Sequence, residues 1–563
     1  MLARGSRLLH CGTTFVKQKS PCCCVRYFSA AVEQRDPDDL FNYTSGRWLY
    51  NEELRLAERR LPFNVEQLKR VAAEAIGRKE QDVFGIKKFA EGGFNRIFEI
   101  SMHDGLQVLA RLPYPFTLPK KYATASEVAT MDFVRQHNVP APKVFAYSAT
   151  DKNDVGVEYI IMEKMQGLQA GDVWYTMTDD QRIKLIRELV TLEARLFSIP
   201  LPASGSLFYA KDLDPRMKRT EIGDGFCVGP DVQDRAWLDE RSGLQINRGS
   251  CETSEEILCA GAERELLWAE KYAKPRYPLE PMYRESYNYE KVSPAEHIEN
   301  LKNYLKIAKH LAPSQESYLN RHTLRHPDPQ PNNILISESF TINGLIDWQH
   351  CLILPLFLQV KPAKHFQNYG DEESEKCIKP ELQKDFDQLN SNEQDVAMEL
   401  YRRRHTHYHY MSISEELNKD NVRICTHPMI VLKQKLFEHS STPWEGTNVT
   451  LKIDLMTARQ MWPFLLRESE LATFGSSCPL NYEQAEIDKY LKLHEEQEES
   501  DRHMKEIQMG FGMAENGWVP LDMYEDAKER CKALKSVLLA AVEPGERAMV
   551  EKHWPFDNRD EDE

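Results

Sequence analysis

The chain has 563 residues, 28% of them charged and 41% in the hydrophobic set, the balance of an ordinary globular protein with room for more than one core. Its formal charge of −16 argues against a general nucleic-acid backbone binder, which must present clustered Lys and Arg to phosphates. No run of about 18 uncharged apolar residues offers a transmembrane helix, and a small anionic ligand in a locally positive cleft stays compatible with the charge.

The first 32 residues hold Arg4, Arg7, Lys17, Lys19 and Arg26 and no acid; Glu33 is the first. A basic, acid-free, Ser- and Thr-containing leader predicts a mitochondrial transit peptide over 1–28, cut near Arg26–Ser29 and read by the mitochondrial import machinery. A secretory signal is the poorer reading, because His10 interrupts the weak apolar run 8–16. Four of the twelve cysteines lie in this leader and the others are scattered without a C-x-x-C. That is neither a disulfide framework nor a zinc pattern, and it fits a reducing interior such as the matrix.

Residues 29–80 are expected to form a helical extension, with Val65, Leu68, Val71, Ala72 and Ala75 at helical spacing behind Asn64. A small lobe follows over 81–165. Strands are predicted at 84–90, 95–102 and 106–112, the last two joined through the turn-forming His103-Asp104-Gly105; then come a helix over 124–137, stopped by Pro140 and Pro142, and strands at 143–148 and 157–162. After a connector over 163–170, the large lobe (166–480) reads as mainly helical: 180–198, 254–272, 294–311, 380–404, 428–437 and 450–470, with an irregular insert over 202–250. A charged helical region, 481–563, ends in a solvated, frayed DNRDEDE. The whole is an α+β chain with a small antiparallel β lobe and a large helical lobe.

The most informative stretch is LRHPDPQPNNILISESFTINGLIDW, 324–348. His326 and Asp328 sit in a loop stiffened by Pro329 and Pro331. A short strand, a turn and a returning strand then carry Asp347 back beside Asn333, so that one hairpin gathers two carboxylates and an amide. Phosphoryl transfer from ATP needs such a set: a carboxylate to take the proton of the attacking hydroxyl, and oxygen ligands to hold Mg²⁺ against the phosphates.

The spacing of His326, Asp328 and Asn333, followed by Ile346-Asp347-Trp348, resembles the aminoglycoside phosphotransferase superfamily, relatives of the eukaryotic protein kinases. The resemblance implies the two-lobed protein-kinase-like fold, with Asp328 as catalytic base, His326 as the structural histidine of the loop, and Asn333 and Asp347 as Mg²⁺ ligands. Pro327 stands where the superfamily commonly has glycine. On the nucleotide side, Gly92-Gly93 in FAEGGFN resembles the loop that covers ATP phosphates, and Arg111 with Glu127 resembles the basic residue and helix glutamate of kinase-like folds. The connector with Glu163 and Met165 would bind adenine through main-chain groups. The order Tyr43-Thr44-Ser45-Gly46-Arg47-Trp48, Phe63-Asn64-Val65, Glu91–Asn95 and His326-Pro327-Asp328 looks like the fungal branch called altered inheritance of mitochondria protein 9, which implies a mitochondrial location and a role in mitochondrial maintenance or inheritance.

The function expected from this resemblance is transfer of the ATP γ-phosphoryl group to a hydroxyl of a small molecule. The alternative is a kinase-like pseudoenzyme that serves as a maintenance factor. A protein kinase is disfavoured, since no A-P-E-like segment follows Asp347. Acidic residues of 371–375 and of the insert would favour a neutral or amine-bearing acceptor. The run Arg402–His409 reads as a solvated or cleft-rim helix end, with no acidic partner for a metal site.

Overall fold

The computed structural model describes residues 39–466, 477–561 and 563, so the expected transit peptide lies outside the described residues. Five antiparallel strands build the small lobe: β1 (Val83–Glu91), β2 (Asn95–Met102), β3 (Gln107–Pro113), β4 (Val144–Ser148) and β5 (Tyr159–Glu163), in the spatial order β1-β2-β3-β5-β4. Gly105, at φ 87°, closes the β2–β3 hairpin, and Ser101 faces Gln107 across it. Between β3 and β4 runs the helix Tyr122–Gln136, rich in alanine and buried at every residue from Ala123 to Met131. The helix Val65–Ala75 starts where Asn64 accepts a side-chain bond from the Gln67 N–H at 3.1 Å.

The large lobe is mainly helical, its longer helices being Asp179–Ser198, Ser254–Tyr272, Ala295–Ile307, Ser391–Leu417, Pro428–Ser440, Val449–Gln460, Gln484–Phe511 and Tyr524–Ala541. Its one element of direct consequence for the site is a three-stranded patch: β6 (Leu168–Gln169), β7 (Ile334–Ile336) and β8 (Ile342–Leu345), with β7 in the middle. This is a small antiparallel sheet lobe on a large helical lobe, the two-lobed fold expected from the sequence. No helix among the described residues is long and apolar enough to cross a membrane.

Several local expectations are corrected. The insert is not irregular throughout: Ser206–Tyr209, Thr220–Gly223 and Phe226–Gly229 form a three-stranded antiparallel sheet whose strands are too short for periodicity to register. The helix placed at 380–404 runs instead from Ser391 to Leu417, because Asn390 and Glu393 form a capping box and Tyr410, Met411 and Ile413 are buried further along. Arg402–His409 is therefore mid-helix. His405 and His407 are buried there, and Arg404 pairs with Asp371 (2.6 Å) and Glu373 (2.5 Å). Those two carboxylates of the 371–375 run are thus committed to an arginine. The 450–470 helix breaks after Gln460, a short turn Trp462–Leu465 follows, and 467–470 lie outside the described residues.

The C-terminal tail is docked rather than frayed. Asn558 Oδ1 accepts from the Asn51 N–H at 2.6 Å, Arg559 N–H donates to Asn51 Oδ1 at 2.9 Å, and Arg55 pairs with Glu561. Upstream, the short strand Trp518–Pro520 pairs antiparallel with Gly46–Trp48, so that the two ends of the described chain close on each other. Gly46 is required there: a Cβ would lie 2.3 Å from the Trp518 indole.

Candidate functional site

Arg325, just ahead of the catalytic-type loop, is buried and bonds Glu193 at 2.9 Å, tying the loop to the helix Asp179–Ser198. His326 is 2% exposed and lies edge-on to the fully buried Trp348, ring centroids 4.5 Å apart. Its Nε2 donates to the Ile346 carbonyl at 2.9 Å, and its Nδ1 accepts the Asp328 N–H at 3.2 Å. That pair of bonds requires the neutral ring, and burial pushes its pKa down to about 4. His326 thus bridges the loop to the strand end that bears Asp347. The backbone seals the same junction, with Ile346 N–H donating to the Asn333 carbonyl at 3.0 Å.

Asn333 closes the 3₁₀ turn Pro331–Asn333 and donates through Nδ2 to the Asp328 carbonyl (2.8 Å) and to Asp328 Oδ2 (3.3 Å). Gln330 donates to the same Oδ2 at 2.6 Å. Asp328 itself is exposed at the mouth of the cleft. Crowding by neighbouring atoms, and then the negative charge of Asp347, raise its pKa above the ordinary carboxylate value against the bond from Gln330. The loop is braced from below: Gln169 Nε2 donates to the Asn332 carbonyl at 3.0 Å, and Gly171 leaves room for Asn332 Oδ1, which would sit 1.7 Å from a Cβ.

Asp347 stands at φ 68°, a left-handed conformation that Asp tolerates better than most residues. Arg111 of β3 reaches it across the cleft. One guanidinium nitrogen donates to Asp347 Oδ1 and to Gln349 Oε1, both at 2.8 Å, and the other pairs with Glu127 at 3.0 Å. Burial would raise the Asp347 carboxyl, but Arg111 outweighs it and holds the group below its usual range. Glu127, fully buried, is pushed up to about 7 by desolvation, which Arg111 only partly offsets.

The structure therefore brings together His326, Asp328, Asn333, Asp347, Arg111 and Glu127. It also draws in two residues that the sequence reading passed over. Gln349 accepts from Asn95 Nδ2 at 2.6 Å, and His350 bonds the Leu118 carbonyl at 2.9 Å while its ring meets Phe94 edge-on at 5.2 Å. Both tie the Gly92-Gly93 loop to the segment just after Asp347; their place beside Ile346-Asp347-Trp348 was the available signal.

The glycine loop joins β1 to β2, and Gly92 N–H donates to the Asn95 carbonyl at 2.9 Å. A Cβ on Gly93 would meet no atom within 4 Å, so the loop is open above it. Its base is clamped at Glu91, another residue without an assigned part in the sequence reading. Glu91 accepts from Thr44 N–H (2.9 Å), Thr44 Oγ1 (3.1 Å) and Ser45 Oγ (2.7 Å) and pairs with Arg96 at 2.9 Å. At the connector, Glu163 gives its N–H to the Lys143 carbonyl and accepts the Lys143 N–H on its carboxylate. Met165 lies against Gly344, and its N–H donates to no protein group among the described residues.

For Mg²⁺ and ATP, the donor set fits. Asn333 turns its amide nitrogen to Asp328, leaving Oδ1 without a protein donor among the described residues, and Asp347 Oδ2 is likewise free of one. No group of three or more His, Cys, Asp or Glu among the described residues forms a ready cation cage. Mg²⁺ needs none, since it takes one or two protein oxygens and fills its shell with water and phosphate.

A profile of the phosphotransferase enzyme family matches residues 85–358, which span the glycine loop, Arg111, the connector and the whole His326–Asp347 hairpin. Over that stretch the chain is homologous to this family. It is related to a subtelomeric hrmA-associated cluster protein of Aspergillus fumigatus, 29% identical over 84% of this chain and 97% of that protein. It is also related to the altered inheritance of mitochondria protein 9 of Saccharomyces cerevisiae, 23% identical over 88% of this chain and 89% of that protein. Among solved structures, an ethanolamine kinase of Plasmodium vivax is similar at 11% identity and a TM-score of 0.32, covering 69% of this chain and 84% of that one.

One prediction follows from the buried neutral ring of His326 and two others like it, His297 and His365, all pushed down to about 4 by burial. As pH falls from about 6.5 toward about 4, the unfolded chain takes up protons that the folded chain refuses, so stability declines through that window and is unaffected above it. Urea denaturation midpoints should fall between pH 7 and pH 5, and the fall should be shallower in His326→Gln. Equal midpoints at both pH values would contradict the neutral, buried state.

Proposed function

We propose that the chain is an ATP- and Mg²⁺-dependent phosphotransferase acting on a hydroxyl of a small molecule. The observation that carries this reading is the closure of Asp328, Asn333 and Asp347 onto one end of a single hairpin, facing the Arg111–Glu127 pair. Bound Mg·ATP would supply the transferable phosphoryl group and the cation that offsets its charge. Asp328 takes the proton of the acceptor hydroxyl, a task its raised pKa suits. Asn333 Oδ1 and Asp347 would hold the cation, Arg111 would orient the phosphates, and the amides of Gly92 and Gly93 would cover them. His326 positions Asp328 and remains neutral. The Met165 N–H is the connector group available to an adenine ring.

The relation to altered inheritance of mitochondria protein 9 and the basic leader together support a mitochondrial location, with the matrix as the compartment and mitochondrial maintenance as the setting. A fluorescent reporter fused to residues 1–35 should be imported; a diffuse cytosolic signal would reject the leader.

A second reading, an inactive kinase-like maintenance factor, draws on one observation: Arg111 replaces the flexible lysine usual at this place and is already engaged by Glu127, Asp347 and Gln349. Incubating a mitochondrial metabolite extract with γ-labelled ATP separates the two. A labelled small molecule should form with the wild type and fall by about 10²–10⁴-fold with Asp328→Asn, which keeps the metal ligands and most ATP affinity. Turnover within about tenfold of the wild type would remove Asp328 as base, and Mg·ATP binding without any labelled product would favour the inactive reading. Gly93→Val, whose Cβ meets no atom within 4 Å, should leave unfolding unchanged while raising the Kd for ATP; an unchanged Kd would take the loop out of the site.

A further inference from the structure

Away from the nucleotide loop, the insert folds against the helices Ser254–Tyr272 and Pro428–Ser440 and leaves a small cleft of about 60 Å³. Ile246, Ile257, Leu352 and Phe437 give it apolar wall, and its charged lining is Arg235, Arg248, Arg264 and a single acid, Asp231.

The positive charge is undercompensated. Arg248 stacks on Trp237, its guanidinium carbon 4.2 Å from the ring centroid, and donates to the backbone carbonyls of Ala236 (2.8 Å) and Arg241. No carboxylate pairs with it among the described residues. Burial, and then the neighbouring charge of Arg264, push its pKa down to about 10, against the weaker pull of Asp231. Arg264 has a partner in Glu265 at 2.9 Å, but that buried carboxylate is shared with Arg241 at 2.7 Å. Among the described residues the Arg235 guanidinium bonds only the Gln233 amide oxygen, at 3.2 and 2.9 Å, and the nearby Glu438 is already paired with Lys361 at 3.3 Å. Guanidiniums held in place by neutral acceptors and lining a cleft are built for a planar or tetrahedral oxyanion, which accepts their remaining N–H groups.

We infer that this cleft binds a small metabolite through an oxyanion, phosphate or carboxylate, with Arg235 and Arg248 as its principal contacts. The cleft lies beside the candidate phosphotransfer site: Leu352 of its wall is five residues beyond Asp347, and Asp234, between Gln233 and Arg235 of its rim, acts electrostatically on His350. The acidic residues of the insert therefore do not set the sign of this surface. Glu240 bonds the Trp268 indole at 3.0 Å and Asp239 leans on Arg241 at 3.6 Å, while the arginines face the cavity.

The test is calorimetric titration of the full chain at low salt, first with inorganic phosphate and then with succinate, with the nucleotide cleft filled by Mg²⁺ and a non-hydrolysable ATP analogue. Saturable binding of phosphate is expected, with succinate binding as well if the site reads oxyanions generally. It should weaken about tenfold or more in Arg235→Gln and in Arg248→Gln. Since Arg248 also braces the insert, Arg235→Gln, which gives up only a bond to Gln233, decides if Arg248→Gln misfolds. Absence of saturable binding of either anion, or binding that Arg235→Gln leaves intact, would each overturn the site.

Discussion

Everything at the candidate site hangs on one guanidinium. Arg111, 5% exposed, spans from Glu127 in the small lobe to Asp347 and Gln349 in the large one. A buried charge of this kind is stable only while its partners remain, and removing one partner of such a pair typically costs about 3–5 kcal/mol. The helix Tyr122–Gln136 must therefore present Glu127 from a fully buried turn, and the Ile346–Trp348 segment must hold Asp347 in its left-handed conformation. Trp348, anchored through its indole N–H on the Leu345 carbonyl at 2.9 Å, secures that segment.

A second constraint comes from outside the family core. The match covers 85–358, yet the base of the glycine loop is fixed by Thr44 and Ser45 through Glu91, and those residues precede the strand Gly46–Trp48 that pairs with Trp518–Pro520. Arg47 adds an ion pair to Glu52 at 2.6 Å and stacks on Tyr524 at 3.8 Å. The N-terminal extension and the C-terminal helices thus form one brace behind the glycine loop. A loop of two glycines has little rigidity of its own, and the brace supplies it.

What the sequence made legible was whatever is settled locally. The His326 to Asp347 spacing is a hairpin whose side-chain identities and lengths fix the geometry, and Gly105 and Asn64 are read from turn and cap chemistry at a few residues' range. What stayed hidden depends on partners far along the chain. Ser45 meets Glu91 at a separation of 46 residues, and Asn95 meets Gln349 at 254; neither pairing leaves a periodic trace. The helix Ser391–Leu417 was misplaced for a related reason: its surface is mixed in character, and its position is decided by Tyr410, whose hydroxyl donates to Glu193 at 2.6 Å. The insert's arginines were outweighed on paper by its acids, and only folding separates those that face the cavity from those that face water or each other.

The two partners of Arg111 differ in a way that bears on function. Among the described residues Glu127 is buried and shares its carboxylate only with the arginine, whereas the Asp347 side chain is 48% exposed and keeps one oxygen without a protein donor. Solvent reaches the Asp347 carboxylate and not that of Glu127, so of the two contacts the one to Asp347 is the more readily exchanged. In the proposed reading, Asp347 would be shared between Arg111 and the cation, while Arg111, still on Glu127, would keep N–H groups for the phosphates. His326 is bonded to Ile346 and Asp328 rather than to Asp347, so the exchange leaves the loop that carries the proposed base where it is.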